Sequence, residues 1–198
     1  MKLDKSFYQR TDVLQISREL LGKTLVTRTG GLLTAGTIVE VEAYCGACDR
    51  ACHAYNNRRT ARTEIMYQPG GHSYVYLCYG IHYLFNITSN IAGHADAILV
   101  RALEPVSGVE TMLERRKMHK IEKRLSSGPG ALSQAMGIDM TFYGSPLWGD
   151  RIWIEDGTGN ICDEDIVAAT RIGVDYAGED AKLPWRFYIK DNPWVSRR

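Results

Sequence analysis

The sequence predicts a single α+β domain, residues 1–198, in which a mostly antiparallel, curved sheet is flanked by helices and carries a protruding aromatic β-hairpin. Segments with strand character outnumber helical ones and are separated by short turns. An aromatic run over residues 74–88, broken only by Gly80, fits two strands joined by a tight turn. The absence of repeats, low-complexity segments and linkers from the sequence indicates one domain.

Three segments are predicted to be helical. They cover residues 13–21, 106–123 and 129–136. The first has apolar residues at helical spacing, with Thr11 or Asp12 as the N-cap and Gly22 placed to end it. The second is rich in charged residues. The third begins with Pro129, which suits a first helical position, and is followed directly by Gly137.

Strand character extends over much of the remaining chain. The predicted strands outside the aromatic run cover residues 24–29, 36–44, 97–103, 151–155, 168–174 and 185–190. In the second of these, Ile38, Glu40, Glu42 and Tyr44 are predicted to share one face. A buried pair of carboxylates is one way to make a general base, whereas on an edge strand both carboxylates face water. The spacing leaves both interpretations open.

Composition limits the classes of function. The formal net charge is +1, so bulk charge does not indicate a nucleic-acid partner, and any binding face has to come from local clusters. No apolar stretch reaches the roughly 20 residues of a membrane span, and residues 1–10 are too polar for a secretory signal. Five cysteines without an export signal favour reduced thiols. We therefore expect a soluble cytoplasmic protein without membrane association and, by default, a monomer.

The aromatic run contains four tyrosines and a phenylalanine within residues 74–86. Tyr74 and Tyr76 are predicted to face the same way, and Tyr79, next to Gly80, is predicted to lie near the tip. Large flat side chains on a rigid support suit the stacking of nucleic-acid bases and the wedging of a duplex. A cross-strand aromatic ladder in the core is the structural alternative.

Basic residues form three clusters along the chain. They are Arg58, Arg59 and Arg62; Arg115, Arg116, Lys117, Lys120, Lys123 and Arg124; and Arg197 and Arg198. On a nearly neutral chain, such clusters can form one face that contacts phosphates. In the middle cluster, interspersed glutamates favour a solvated helix face instead.

Cys45, Cys48, Cys52 and His53 form a C-x2-C-x3-C-H pattern. Similar patterns occur at zinc and iron–sulfur sites, but the sequence has no clear second pair of ligands. Free thiols in a loop, with His53 acting through hydrogen bonds, are the favoured interpretation. The sequence thus predicts no metal and no cofactor, and a metalloprotein built on these four residues stays an alternative.

A series of motifs follows the chain in a fixed order. They are Glu42-Ala43-Tyr44, His53, Tyr74-Val75-Tyr76, Tyr79-Gly80, Asn86-Ile87, Arg101-Ala102-Leu103-Glu104-Pro105, Ser127-Gly128-Pro129, Arg186-Phe187-Tyr188 and Pro193-Trp194-Val195-Ser196. This series resembles the alkyladenine (3-methyladenine) DNA glycosylase family, from the first helix to the C-terminus. The resemblance implies a base excision repair enzyme that flips a damaged purine out of DNA and hydrolyses its N-glycosidic bond.

The resemblance also implies roles for single residues. Glu42 would be the general base that activates the attacking water. Arg101 would help to position that water, together with a backbone carbonyl from residues 171–174. Tyr79, at the tip of the hairpin, would fill the gap that the flipped base leaves in the duplex.

The same resemblance implies a pocket for the flipped base. Tyr44, His53 and Tyr76 would line it, with Tyr44 and Tyr76 offering electron-rich rings to a positively charged alkylated purine. Asn86 would screen purines by disfavouring the amino group of guanine. No lysine nucleophile is required, so a step that cleaves the DNA strand is not expected.

The implied partner is double-stranded DNA that contains damaged purines, which are alkylated or also deaminated. The predicted domain begins almost at the first residue of the sequence, which suggests a bacterial, cytoplasmic form that acts at the nucleoid. The alternative from another class is a non-catalytic nucleic-acid binding module that uses the same aromatic hairpin, for which Glu42 is dispensable. A helix-hairpin-helix glycosylase is disfavoured, because no Gly-rich hairpin followed by a catalytic Asp is evident.

Overall fold

The computed structural model describes residues 1–157, 159 and 161–197. The helices in this range are α1 (Lys5–Tyr8), α2 (Val13–Leu20), α3 (Val109–Arg116) and α4 (Pro129–Met136). The strands are β1 (Thr24–Thr29), β2 (Leu32–Tyr44), β3 (Ser73–Cys78), β4 (His82–Ser89), β5 (Asp96–Ser107), β6 (Ile152–Glu155), β7 (Ile166–Ala169) and β8 (Arg186–Ile189). None of the described helices is long and apolar enough to cross a bilayer.

These strands form one curved antiparallel sheet with the shape of a half-barrel. The order along the sheet is β3-β4-β5-β2-β1-β6, while β8 pairs with the C-terminal part of β2 and with β7. The long strand β2 is therefore paired along both edges, with β5 on one side and with β1 and then β8 on the other. The predicted α+β class, antiparallel curved sheet, flanking helices and aromatic hairpin are confirmed.

Alternate residues of the central strands face opposite layers. On β5, Ile98 and Val100 pack in the apolar core, on which α2 and α4 lie. Leu99 and Arg101 point to the other side of the sheet, where they line a cavity. Because side chains alternate along a strand, the same strands build a hydrophobic core on one face and a functional surface on the other.

A bulge in β2 changes the predicted face of Ile38. The pairing with β5 shifts between Ile38 and Glu40, which leaves Val39 as the extra residue. Ile38 consequently packs in the same core as Val41, whereas Glu40 and Glu42 lie on the cavity side. The prediction that Ile38 shares a face with these two carboxylates was wrong, because an extra residue reverses the alternation.

Helix boundaries match the prediction where local caps are strong. The side chain of Asp12 caps α2, and Gly137 ends α4 with a φ of 68°. The helix predicted over residues 106–123 is wrong in extent. β5 continues to Ser107, and Lys117 ends α3 in the left-handed conformation, with a φ of 52°.

The strand predicted over residues 168–174 is also displaced. β7 ends at Ala169, and the chain from Arg171 to Val174 forms a loop beside the cavity. Buried contacts of Arg171 hold this loop in place, as its guanidinium bonds to Asp49. The loop thereby becomes a part of the site.

Candidate active site

A cavity of about 430 Å³ opens on the face of the sheet opposite the apolar core, and Pro129 at the start of α4 also lines it. Its volume lies in the usual range of ligand pockets, roughly 300–1,000 Å³. The walls come from β2, β3, β4 and β5, from the loop before β3 and from the loop after β7. Aromatic rings contribute much of the lining, namely those of Tyr44, His53, Tyr74, Tyr76, Tyr79 and Tyr176.

Glu42 lies directly behind the cavity wall and is completely buried. Its Oε1 accepts a hydrogen bond from the Ile172 N–H at 2.8 Å and lies 3.1 Å from Nη1 of Arg101. Its Oε2 accepts from the Tyr44 hydroxyl at 2.8 Å. All three partners line the cavity. Because β2 is paired on both edges, the interpretation of Glu42 as a solvated edge-strand residue is wrong.

Tyr44 keeps its proton at neutral pH. Burial raises the pKa of Tyr44 well above its ordinary value, and the neighbouring Glu42 carboxylate raises it further. The hydroxyl therefore donates to Glu42, and the side chain of Glu42 is held by a donor from the cavity wall.

Arg101 joins the two carboxylates of β2. Its Nε donates to Oε1 of Glu40 at 3.1 Å, while its Nη1 pairs with Glu42. Glu40 is also completely buried, and it accepts hydrogen bonds from Arg186 Nη1 at 3.0 Å and from the Ser196 N–H at 2.6 Å. A buried carboxylate without such partners is strongly disfavoured. Glu40 thus fixes Arg101 from behind, and Arg101 fixes Glu42.

A buried ion pair anchors the loop after β7. The Arg171 guanidinium makes two hydrogen bonds to the Asp49 carboxylate, and both side chains are inaccessible to solvent. Arg171 also donates to the carbonyl of Ala43 at 2.9 Å, which ties the loop to β2. These contacts position the next residue, Ile172, so that its N–H reaches Glu42.

His53 presents a neutral ring to the cavity. The rings of His53 and Tyr76 meet edge to face with centroids 4.8 Å apart, and Nδ1 of His53 lies 2.8 Å from the Tyr74 hydroxyl. Burial lowers the pKa of His53 to about 4, with a further contribution from the positive charges of Arg62 and Arg58. The imidazole is therefore a hydrogen-bonding group rather than a cation at neutral pH.

The guanidinium of Arg62 covers the ring of Tyr76. Its Cζ lies 4.5 Å from the ring centroid, and its Nε donates to the Tyr74 hydroxyl at 3.1 Å. Its Nη2 is 2.8 Å from Nε2 of His53. This contact is a cation–π interaction, and it places a positive charge against the ring of Tyr76.

Asn86 lies buried at the cavity wall. Its Nδ2 donates to the carbonyl of Tyr74, its cross-strand neighbour, at 3.1 Å. This bond fixes the orientation of the amide, so that Asn86 offers a rigid polar group to the cavity rather than an adaptable one.

The hairpin of β3 and β4 ends in a tight turn at Tyr79 and Gly80. Both residues have positive φ, 50° and 71°, and the Ile81 N–H donates to the carbonyl of Cys78 at 3.0 Å, as in a type I′ turn. Tyr79 is 92% exposed, and Ile81 is exposed beside it. A tyrosine in the left-handed region costs roughly 1–2 kcal/mol. The prediction that Tyr79 lies at the tip is confirmed, and strain at such a position is typical of functional residues.

Comparison with known proteins identifies the family. A sequence profile of the family described as "Methylpurine-DNA glycosylase (MPG)" matches residues 6–193. The chain belongs to this methylpurine-DNA glycosylase family. Membership makes it a DNA glycosylase, a hydrolase of DNA repair that acts on alkylated bases in DNA. The resemblance that the motifs predicted is confirmed.

Full-length bacterial relatives agree with this assignment. The chain is 48% identical over 206 residues to a protein of Alkaliphilus oremlandii, with 100% of both chains covered. It is 45% identical to a protein of Natranaerobius thermophilus, with 99% of each chain covered, and 44% identical to one of Carboxydothermus hydrogenoformans, with 100% of each covered. All three carry the name "Putative 3-methyladenine DNA glycosylase".

The glycosylase fold brings the predicted site residues together. Tyr44, His53, Tyr76, Tyr79, Asn86 and Arg101 all line the cavity, and Glu42 lies behind its wall. The side chains of Arg62, Tyr74 and Arg171 also contribute, and none of them was predicted as a site residue. The resemblance implied a backbone carbonyl from residues 171–174, and in the structure this segment contributes the backbone N–H of Ile172, which donates to Glu42. Tyr74 belongs to the aromatic run, so the sequence contained a signal for its place in the site. The others depend on tertiary contacts, which residue type and spacing do not reveal.

Most arginines of the predicted basic clusters are bonded to other residues of the protein. Arg115 and Arg116 donate to backbone carbonyls of Ala135 and Leu125, and Arg124 pairs with Glu122 at 2.7 Å. This favours a structural and solvated role for the middle cluster. In the first cluster, Arg59 pairs with Glu64 and Arg62 enters the cavity, while Arg58 is exposed. Of the last cluster, Arg198 lies outside the described residues.

The C-x2-C-x3-C-H pattern does not converge on one point. Cys45 and Cys48 lie side by side, whereas the thiol of Cys52 faces the carbonyl of Ala95 and His53 faces the cavity. Within the described residues, no group of three or more His, Cys, Asp or Glu side chains is arranged to hold a metal ion.

Proposed function

We propose that this glycosylase flips damaged purines out of duplex DNA and hydrolyses the N-glycosidic bond with a water activated by Glu42. The observation that carries the proposal is the buried Glu42 carboxylate, which three cavity-lining residues hold by hydrogen bonds or ion pairing. A carboxylate oxygen has two acceptor positions, so Oε2 has a position for water besides its bond to Tyr44. A general base of this kind contributes about 10²- to 10⁴-fold to the rate.

The aromatic lining suits a flat, positively charged base. The relatives are named for 3-methyladenine, which carries a positive charge when bound to the sugar and is already a good leaving group. Attraction of a cation to an aromatic ring is worth roughly 0.5–2 kcal/mol. Tyr44 and Tyr76 supply such rings, and Asn86 is the polar group that disfavours the amino group of guanine.

Deaminated purines such as hypoxanthine are also proposed substrates, but their release from the sugar differs chemically from that of an alkylated base. These bases are neutral, so their departure is assisted by a proton. His53 has a pKa of about 4 and is unprotonated at neutral pH, so it does not supply that proton. We expect hypoxanthine to be released more slowly than 3-methyladenine.

The proposed enzyme is monofunctional and has no cofactor. Among the described residues that line the cavity there is no lysine, which suits hydrolysis by water rather than a covalent amine intermediate. We propose a monomer that acts on chromosomal DNA in the bacterial cytoplasm. The organisms of the relatives support the bacterial part of this proposal. A borohydride-trapped enzyme–DNA adduct, or β-elimination products from pure protein, would contradict the monofunctional reaction.

The decisive experiment compares wild type with Glu42→Gln in release of free base from duplex DNA containing 3-methyladenine or hypoxanthine. The glutamine keeps the size of the side chain but does not accept a proton from water. We expect excision by wild type, its loss in the variant, and lesion binding by both. Absence of excision by both proteins, with DNA binding intact, would favour the non-catalytic binding module. Equal excision by both would move the general base to another residue.

A further inference from the structure

Cys45 and Cys48 form a pair of adjacent thiols in the turn that follows β2. Cys45 directly follows Tyr44, and Cys48 directly precedes Asp49. Their Sγ atoms are 3.2 Å apart, and Cys48 Sγ also lies 3.3 Å from the carbonyl of Cys45. A disulfide bond measures about 2.05 Å, so closure requires the two sulfurs to approach by about 1 Å.

The turn between the two cysteines is held in a fixed shape. Gly46 has a positive φ of 31°, and a Cβ at this position would lie 2.9 Å from a carboxylate oxygen of Asp96. A glycine is therefore needed for the turn Gly46–Cys48 to pass this close to β5. The Asp49 carboxylate accepts from the N–H of Cys45 at 3.3 Å and closes the turn from the other end. The fold thus keeps the two thiols in contact.

The two sulfurs differ in accessibility. Cys48 is exposed and open to a dissolved oxidant, whereas Cys45 is half-buried. Burial, together with the contact with the Cys48 thiol and the nearby carboxylates, raises the pKa of Cys45 to about 12. Cys48 is therefore the sulfur that reacts first, and Cys45 is the partner that resolves the product.

We propose that Cys45 and Cys48 are a redox modification site that closes reversibly to a disulfide in the presence of a peroxide and thereby slows base excision. Cys48 releases its proton to water, the resulting thiolate attacks a peroxide oxygen, the O–O bond breaks, and the released hydroxide takes up a proton from the solvent to form water, which leaves the Cys48 sulfenic acid. The Cys45 sulfur then displaces hydroxide from the Cys48 sulfenic acid and gives its own proton to that hydroxide. Two thiols and one hydrogen peroxide become one disulfide and two waters, and a dithiol reverses the reaction.

The site is coupled to Glu42 by a short chain of contacts. Asp49, adjacent to Cys48, bonds to Arg171 through both carboxylate oxygens. Arg171 precedes Ile172, whose N–H donates to Glu42. A displacement of the turn on disulfide closure is therefore transmitted to the proposed general base. This part of the inference rests on the proposed function of Glu42.

The chemical part is tested by mass spectrometry. Purified protein is treated with hydrogen peroxide or with dithiothreitol, digested without reduction, and mapped for cross-linked peptides. We expect a Cys45–Cys48 disulfide in the oxidised protein, its absence in Cys48→Ser, and its presence in the control Cys162→Ser, whose cysteine is exposed and distant in sequence. Oxidation of Cys48 to sulfinic acid while Cys45 stays a free thiol would overturn the proposal.

The functional part uses the same samples in single-turnover release of 3-methyladenine from methylated duplex DNA. We expect oxidation to slow release on the order of 10-fold, because small displacements of catalytic groups are costly. Dithiothreitol should restore the rate, and Cys48→Ser should keep its rate in peroxide. An unchanged rate in protein that contains the disulfide would overturn the proposal. Lack of release by reduced wild type would instead contradict the proposed function, while the peptide map still decides whether the pair closes.

Discussion

Glu40 and Glu42 lie two residues apart on β2 and are both completely buried, yet their partners differ. Glu40 accepts hydrogen bonds from Arg101, from Arg186 and from a backbone N–H near the C-terminus. The partners of Glu42 instead belong to the cavity wall. Every buried carboxylate needs a compensating charge, whether its role is structural or catalytic. The two roles are therefore distinguished by where the partners lie. Glu40 holds Arg101 in place, and Glu42 is held by residues that line the cavity.

Replacement of Glu40 should therefore affect stability more than chemistry. In Glu40→Gln, Arg101 and Arg186 lose the charge that compensates them, and we expect a loss on the order of 3 kcal/mol in unfolding free energy. For a chain of this length, that corresponds to a decrease of about 6–12 °C in Tm. Thermal unfolding measures the shift, and excision well below the Tm should stay within about 10-fold of wild type, far above the rate of Glu42→Gln.

The matched control for this variant is Glu114→Gln, at an exposed position of α3. Such surface changes usually stay within about 0.5 kcal/mol. A Glu40→Gln protein that unfolds like wild type but has lost excision would show that Glu40, rather than Glu42, carries the chemistry.

His53 gives a second prediction at this scale. Its pKa is lowered from 6.5 to about 4 in the folded protein, first by burial and then by Arg62. The unfolded chain takes up a proton below about pH 6.5, whereas the folded chain does so only near pH 4, so the unfolding free energy falls as the pH decreases between these values. The decrease from this residue approaches about 3 kcal/mol. NMR titration of the His53 ring and denaturation at several pH values measure both quantities.

Arg62→Ala should raise the pKa of His53 toward its ordinary value, because it removes one of the positive charges that disfavour protonation. Arg62→Lys keeps a charge and serves as the control. A pKa of His53 near 6.5 in the wild-type protein would contradict the buried, neutral imidazole.

At the scale of elements, local signals predicted some segments well and others badly. α4 was correct in both bounds, since Pro129 and Gly137 mark its ends by backbone preference alone. The bulge at Val39 was not predictable, because it exists only in the pairing of β2 with β5. The helix predicted for the charged segment after β5 was too long. Periodicity does not reveal where pairing with neighbouring strands extends a strand.

A substitution at the tip of the hairpin is expected to change the stability and the activity of the protein in opposite directions. Tyr79 and Gly80 occupy the two left-handed positions of a type I′ turn, for which Asn-Gly is the favoured sequence. Tyr79→Asn should therefore raise the unfolding free energy by about 1 kcal/mol through relief of strain. We propose that the ring of Tyr79 offsets part of the cost of base flipping, so loss of this ring should decrease excision from duplex DNA about 10- to 100-fold.

Thermal unfolding and single-turnover excision on the same Tyr79→Asn preparation test both halves of this prediction. Tyr79→Phe keeps the ring and should remain active. Wild-type rates in Tyr79→Asn would mean that the exposed tip does not enter the DNA.

At the scale of the whole molecule, the site assembles from distant parts of the chain. Glu42 meets Ile172 across 130 positions, and Glu40 meets Ser196 across 156. Ordered motifs and family resemblance predicted that Glu42, Tyr44 and Tyr76 belong to one site, because these residues lie within the motifs that carry the resemblance. Supporting contacts such as the Arg171–Asp49 pair required the three-dimensional structure, since neither residue type is unusual in a loop.

Charge distribution decides how the whole molecule meets DNA. The net charge of +1 provides little general attraction, so phosphate binding has to come from a local patch. A second cavity of about 380 Å³ shares His53, Arg62 and Tyr176 with the first cavity and is also lined by Arg50 and Arg58. The arginines of the middle cluster are held by internal hydrogen bonds and ion pairs instead. The backbone next to the lesion is therefore expected to bind at the second cavity.

Salt dependence of DNA binding tests this expectation. Each phosphate contact contributes nearly one unit to the slope of log affinity against log salt, so Arg58→Ala should lower the slope by about 1. The loss of affinity should be similar for damaged and undamaged duplexes, because a phosphate contact does not read the base. Arg124→Ala removes an exposed arginine that pairs with Glu122 and should leave the slope unchanged. If Arg124→Ala reduced the slope as much as Arg58→Ala, the phosphate-binding face would extend over the α3 side of the molecule.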